Sequence, residues 1–323
     1  MTKNTCIITG GAGFIGSHLA ERLVDNSNVI IIDNLSSGNI SNIRNLLNKS
    51  HASFLKHDLK NSSSKLIPVI KKAEIIFHLA ANPEVRLGET NPEIHLQENI
   101  LATFNLLEAI RKTKTRKTLV FTSTSTVYGD ASKIPTPEDY APLIPISTYG
   151  ASKLACEALI TSYAHTFNFR ALILRLANIV GPRSNHGVIV DFLRKIAQNP
   201  RGLEILGDGK QEKSYMYIED CINAIIHLTN DFLEDEHTVD IYNVGSIDRV
   251  SVKEIARIVA EEAGRPNIEF RFTGGILGGR GWKGDVKIMQ LDIRKLLSTG
   301  WKPNYNSREA VRLAAKELTN EVS

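Results

Sequence analysis

Short apolar runs recur along the first half of the chain, with polar, turn-rich segments between them. They occupy 5–9 (TCIIT), 28–33 (NVIIID), 52–56 (ASFLK), 74–80 (EIIFHLA), 117–123 (KTLVFTS) and 170–176 (RALILRL). Most of their positions are apolar, without the alternation of a half-exposed strand, so they predict strands covered on both faces. Helical patterns fill 14–25, 91–112 and 149–167. This alternation predicts an α/β fold with a doubly wound parallel sheet and right-handed crossovers.

Beyond residue 177 the texture changes. Glycine and proline become frequent (GPR at 181–183, GDG at 207–209, GGILGGRGWKG at 274–284), and helical stretches near 186–198, 218–232, 251–263 and 306–319 are separated by short strands. A first domain over 1–176 and a smaller α/β domain over 177–323 are expected. Parts of 215–245, with a strand at 239–244, are expected to return to the first sheet.

Composition narrows the class without naming a chemistry. A chain of 323 residues fits about two domains. Its 42% hydrophobic and 23% charged residues exclude a disordered, collagen-like or coiled-coil chain. The net charge of +4 comes without a run of like charges, so no nucleic-acid partner is expected. Cys6, Cys156 and Cys221 lie far apart with no CxxC pair, which predicts reduced thiols in a cytoplasmic protein. No apolar stretch reaches the roughly 18 residues of a membrane span. The first apolar run stops at a glycine cluster, unlike a signal peptide. His51, His57, His78 and His95 have no metal-binding spacing, so no metal is expected. His78 is expected in the core.

Candidate chemistry starts at Gly10, Gly13 and Gly16, in TGGAGFIGSHLAERL. They follow the first strand and open an amphipathic helix, the context in which glycines let a pyrophosphate rest on a helix N-terminus. Asp33 ends the second strand, where a carboxylate can accept bonds from both adenosine ribose hydroxyls and repels a 2′-phosphate. Residues 34–37 (NLSS) contain no Arg or Lys, so NAD is favoured over NADP. Tyr149 and Lys153, in STYGASKLACEAL, share one helix face. A lysine ammonium there lowers the phenol pKa and makes Tyr149 a general base. Ser123, Thr124 and Ser125 place hydroxyls at the C-terminal edge of a parallel strand, where such sheets bind ligands.

Taken together, TGGAGFIG, Asp33, His57-Asp58-Leu59, HLAA at 78–81, Asn99, TSTSTVYG and YGASK resemble the extended short-chain dehydrogenase/reductases, the NAD-dependent epimerases and dehydratases of nucleotide sugars. The resemblance continues through LRLANIVGP at 174–182, GDGKQEKSYMYIEDC at 207–221, YNVGS at 242–246 and the stretch ending in GWKP at 300–303. It implies a Rossmann-type sheet domain holding NAD and a smaller domain holding a UDP-sugar. The cofactor set it implies begins with Gly10, Gly13, Phe14, Ile15 and Gly16, and continues with Asp33, Asn34, Ser37 and Gly38. Asp58 would bond the adenine amino group with Leu59 beside the ring. Leu79, Ala80 and Ala81 would line the nicotinamide side, with Asn99 near the cofactor. Thr124 falls at the catalytic Ser/Thr position, Tyr149 at the base, and Lys153 at the residue that holds the nicotinamide ribose.

For substrate, the resemblance implies Asn178, Lys213, Arg280 and Asp285 at the diphosphate and uridine ribose. Tyr215 lies nearby, and Val188 and Ile189 meet the uracil region. Met289 falls near the position that limits the sugar C2 substituent, and its flexibility suits an N-acetyl group. Arg86 could meet an acidic sugar. Lys213 stands where the family often has Arg, and the 274–285 loop is longer than the usual Arg-x-Gly-Asp turn. Sugar dehydratases carry Asp-Glu just before VYG; here Ser125 and Thr126 cannot act as carboxyl acids or bases. The activity implied is therefore 4-epimerisation of a UDP-hexose, glucose/galactose or their N-acetyl forms, by transient oxidation and re-reduction at C4. Other readings are an epimerase of UDP-glucuronate, a simple NAD dehydrogenase, or a non-catalytic NAD-binding scaffold, which the presence of Tyr149 and Lys153 disfavours. Helices 91–112 and 149–167 resemble the pair that forms a homodimer interface in this family.

Overall fold

The computed structural model describes residues 4–61 and 63–322. The chain divides into two compact units. The first comprises 1–124, 151–175 and 225–242; the second comprises 125–150, 176–224 and 243–323.

Seven strands build the sheet of the first unit: β1 (Thr5–Thr9), β2 (Asn28–Asp33), β3 (Ala52–Lys56), β4 (Ile75–His78), β5 (Thr118–Thr124), β6 (Arg170–Leu176) and β7 (Val239–Val244). Their order across the sheet is β7-β6-β5-β4-β1-β2-β3. β1 runs parallel to both β2 and β4, β2 to β3, and β4 to β5. Strand order therefore reverses beside β1, and the crevice beyond the carboxyl ends of β1 and β4 is the place where open α/β sheets take ligands.

The apolar runs behave as their pattern predicts except at 52–56, where β3 is an edge strand and none of its residues is buried. Ile7, Ile8, Ile31, Ile76, Leu119, Val120 and Ile173 have no exposed surface. Each such side chain contributes about 1.5–3 kcal/mol by leaving water. Polar groups inside this sheet are paired. His78, fully buried, meets Thr9 Oγ1 through Nδ1 at 2.7 Å and Thr103 Oγ1 through Nε2 at 2.9 Å. Burial, helped by the charge of Lys153, drives its pKa down to about 3, so the ring is neutral.

Two sequence expectations meet a different outcome. The helical pattern at 91–112 is broken into a short turn at Glu93–His95, a π-helical stretch at Leu96–Leu101 and an α-helix at Ala102–Thr113. The wide turn carries Asn99, and such insertions commonly mark functional positions. The domain division is also not contiguous at 176, because 125–150 clusters with the second unit. That segment is tied there by the backbone bridge Thr136–Leu291, and the bridge Gly129–Ile144 closes the segment on itself. Asn243 also receives the Tyr128 hydroxyl at 2.8 Å and donates to the carbonyls of Thr136 and Asp292.

In the second unit the helices Val188–Gln198, Val252–Glu262 and Ser307–Val322 pack on one another. Ser251 caps the middle one by accepting the Glu254 N–H at 3.2 Å. Strand Glu212–Lys213 lies between Val250–Ser251 and Ile288–Met289, and Asn178–Val180 pairs with Tyr215–Tyr217. Among the described residues no helix is long and apolar enough to cross a membrane.

The helix Phe14–Leu23 packs on β1 only because Gly16 has no side chain. A Cβ there would lie 2.2 Å from the Gly10 carbonyl oxygen and 2.7 Å from the Gly11 Cα. Backbone cannot yield as a side-chain tip can, so Gly16→Ala is expected to cost at least the 1–3 kcal/mol typical of overpacking. A urea midpoint equal to that of the unaltered chain would refute this packing.

Candidate functional site

The first unit gathers the glycine loop, Asp33 and Asp58 around the carboxyl ends of β1, β2 and β3. Gly10 has a φ of +69° and lies so close to the backbone after β4 that a Cβ would stand 2.7 Å from the Ala80 nitrogen. Gly13 is the N-cap of the Phe14–Leu23 helix, with no side-chain cap and no acidic residue in the first turn. The helix's own first turn thus brings no competing carboxylate, which suits an anion site. Phe14 and Ile15 are half-buried in that first turn.

Asp33 does more than wait for a ribose. Its carboxylate, 7% exposed, accepts the Ala12 N–H at 3.0 Å and the Leu35 N–H at 2.8 Å. It therefore pins the glycine loop to the loop after β2. An ionised carboxylate has about four acceptor sites, so two bonds leave capacity for hydroxyls. A Cβ on Gly38 would fall 2.9 Å from Asp33 Oδ2, so the loop passes directly over this carboxylate; Ser37 beside it is exposed. This cradle fits an adenosine ribose and pyrophosphate.

Asn34 reaches across to Asp58, its Nδ2 donating to Oδ2 at 3.2 Å. Burial pushes the Asp58 carboxyl up, but the Lys60 N–H, the Asn34 amide and the Lys60 ammonium outweigh it and hold it below the usual range. Asp58 is thus an anion ready to accept from an amino group. Leu59 beside it is buried, and the His57 N–H donates to the Asp33 carbonyl at 3.0 Å, locking β3 to β2 at this end. Leu79, Ala80 and Ala81 follow β4 and stay half-buried. The Leu79 N–H donates to the Thr9 carbonyl at 3.1 Å.

Asn99 is 1% exposed, and both ends of its amide are engaged. Its Oδ1 accepts the Asn82 N–H at 2.8 Å and its Nδ2 donates to Ser152 Oγ at 2.8 Å. It braces the loop after β4 against the helix Thr148–Phe167, through Asn82, to which no sequence motif points, and Ser152, which lies inside YGASK but to which that motif gives no role. That helix carries Tyr149 in its first turn and Lys153 one turn later. Lys153 is 3% exposed, with Nζ 4.2 Å from the centre of the Phe121 ring. Burial pulls its pKa down to about 8, against the opposing pull of Cys156 and Glu157. Thr124 ends β5 and is buried. Arg86 is exposed and its Nε lies 3.5 Å from Glu84.

The second unit brings several of the predicted substrate residues together. Lys213 Nζ donates to Asp285 Oδ1 at 2.6 Å and lies 5.3 Å from the Trp282 ring centre. Asp285, 2% exposed, also accepts the Gly281 N–H at 3.1 Å. Arg280 donates to the Asp285 carbonyl at 2.6 Å and to both oxygens of Asp130 at 3.1 and 2.9 Å. Its guanidinium is therefore already committed within the protein. Nothing in the sequence signals Asp130, which is distant along the chain and carries no motif.

Met289 stands in register with Lys213 and is 8% exposed. Tyr215 is buried, and burial together with Asp285 raises its hydroxyl pKa, so it stays a neutral phenol. Asn178 donates through Nδ2 to the Ser214 carbonyl at 3.0 Å. Val188 opens the helix after Gly187, whereas the Ile189 side chain, 3% exposed, belongs to the core of the unit.

Comparison with known proteins gives the family. Residues 6–245 match the profile of the NAD dependent epimerase/dehydratase family. A putative UDP-glucose 4-epimerase of Methanocaldococcus jannaschii is 33% identical over 319 residues, covering 97% of this chain and 98% of that one. The solved structure of a UDP-galactose 4-epimerase is similar with a TM-score of 0.88 and 44% identity, over 99% of this chain and 100% of that chain. A UDP-glucuronic acid 4-epimerase from Bacillus cereus, solved with UDP-glucuronic acid and NAD, gives 0.86 at 27% identity over 99% and 100%. The glycine cradle, the Asp33 carboxylate and a match over most of the chain agree: this protein belongs to the NAD-dependent epimerase/dehydratase family.

Proposed function

We propose that the chain is an NAD-dependent 4-epimerase of a UDP-hexose, with UDP-glucose and UDP-galactose as its pair and the N-acetyl forms also accepted. The observation that carries this reading is the buried Lys153 one helical turn beyond Tyr149, with its ammonium over the Phe121 ring of β5, a strand that runs on into hydroxyls and no carboxyl acid. Bound NAD supplies reversible hydride acceptance. The glycine loop, Asp33 and Asp58 would hold it.

The protein groups manage the proton. With a pKa of about 8, Lys153 is mostly an ammonium at neutral pH and stabilises a Tyr149 phenolate. Tyr149 then takes the C4 hydroxyl proton, with the Thr124 hydroxyl assisting, and returns it when the sugar is reduced on its other face. Elimination of water would need a carboxyl acid at 125 or 126, where Ser and Thr stand. The Lys213–Asp285 pair and Arg280 offer cationic donors for a diphosphate in the second unit. Lys213 has three donors and one is used by Asp285.

A homodimer through the helices Ala102–Thr113 and Thr148–Phe167 is part of this reading. Phe104 and Phe167 remain 39% and 42% exposed on them, which supports it; a monomeric sedimentation mass excludes it. The three cysteines are buried free thiols, which suits a reducing, cytoplasmic setting.

Purified protein offered UDP-glucose, UDP-galactose and their N-acetyl forms without added NAD is expected to invert C4. Failure with all four refutes the epimerase reading. Tyr149→Phe should lower kcat by about 10²–10⁴-fold, the usual worth of a general base, while the protein retains NAD. Met289→Tyr should reduce turnover of the N-acetyl sugars selectively, and equal losses for both classes remove Met289 as a gate.

A further inference from the structure

Beneath Lys153 lies a buried ion pair that neither the proposed proton transfer nor cofactor binding uses. Glu157 sits one turn beyond Lys153 on the same helix face. Arg175, from β6, grips its carboxylate with Nη2 at 2.8 Å and Nε at 3.1 and 3.3 Å from the two oxygens. Ser123, from β5, donates its hydroxyl to Oε1 at 2.5 Å. The two charged side chains are 4% and 5% exposed. A pair this deep is a poor device for stability, because desolvation offsets much of the Coulomb gain and apolar residues of similar volume commonly do as well.

Its place explains it better. Lys153 faces Phe121 and His78 from the sheet, and Cys156 and Glu157 from its own helix. Among the described residues, the neighbouring π-helical segment and the helix that follows it meet this face through neutral groups, Asn99 with Ser152 and Thr103 with Cys156. His78 is neutral, and burial raises the Cys156 thiol so that it stays protonated. Among the described residues, Glu157 is the formal negative charge set beside the buried ammonium. Arg175 reaches it from β6, not from the lysine's own helix.

We propose that Glu157, clamped by Arg175 and Ser123, is a positioning residue that keeps Lys153 charged and in place beside Tyr149. This rests on the proposed roles of Tyr149 and Lys153 in proton transfer. In this arrangement the negative end of the Glu157–Arg175 dipole faces the ammonium. Three elements, β5, β6 and the helix Thr148–Phe167, meet at that one carboxylate, so the rotation of the helix that aims Lys153 is fixed there too.

The test is the alkaline limb of kcat, where Lys153 loses its proton and its hold on the phenolate weakens. Glu157→Gln leaves Arg175 unopposed and should move the limb down by about one pH unit, a tenfold change in proton affinity. Arg175→Met leaves the carboxylate unopposed and should move the limb up. Glu157→Asp should restore it most of the way. A purely structural pair predicts the same sign of loss in both single variants and a limb that stays put.

Thermal melting identifies any variant that fails to fold. In that case Glu157→Gln/Arg175→Met, which buries no lone charge, decides: its limb should fall by about half a unit. A folded double variant whose limb coincides with the unaltered enzyme overturns the proposal. Lys153→Met separates the two layers. If it keeps full epimerisation, the Tyr149–Lys153 reading itself fails. If it is inactive while the Glu157 and Arg175 variants leave the limb unmoved, only the role of Glu157 falls.

Discussion

The turn after β1 is where the first unit allows backbone to touch backbone. A Cβ at Gly10 would stand within 2.9 Å of Ala80, and one at Gly16 within 2.2 Å of the Gly10 carbonyl. Two missing side chains let β1, the crossing to β4 and the Phe14–Leu23 helix converge. The rest of the cofactor cradle depends on that convergence. The uncapped helix N-terminus faces the crevice, Ala12 comes within reach of Asp33, and the loop after β2 folds over the same carboxylate. A side chain at either glycine would push the helix from the strand, and the anion site would open with it.

The second constraint is electrical. The sheet around β4 and β5 is dry enough to force every titratable group inside it to choose its neutral form or find a partner. His78 and Cys156 take the neutral form. Glu157 and Arg175 take each other. Lys153 lies between these cases: its pKa of about 8 leaves it charged at neutral pH but close to losing the proton. The proposed general base, Tyr149, would therefore be tuned by burial as much as by charge, and small electrostatic changes around Lys153 would alter its state.

The second unit handles charge differently. Lys213 and Arg280 are not free cations waiting for an anion; Asp285 and Asp130 already engage them. Such pairing keeps partly buried cations satisfied when no ligand is present. In the proposed function an incoming diphosphate would compete with those carboxylates, and its affinity would be a difference between two sets of charge-assisted bonds.

Several features were legible in the chain because they depend on local chemistry. Uninterrupted apolar runs marked the strands, all but the edge strand β3 largely buried. Glycines spaced through TGGAGFIG required a tight turn into a helix, and Asp33 falls at a strand end by its position alone. Tyr149 and Lys153 share a face because of helical periodicity. Other features depended on distances that sequence does not encode. The π-turn that places Asn99 between Asn82 and Ser152 interrupts a pattern that is periodic in sequence. Residues 125–150 join the second unit because their partners, Leu291 and Asn243, are more than a hundred residues away. Ser123, Glu157 and Arg175 carry no motif as a set, and only the packing of β5, β6 and one helix makes them a single buried network. Local spacing thus determined the elements and the chemistry each could carry, whereas tertiary packing decided which charges were desolvated and paired, because burial is a property of the fold and not of the residue.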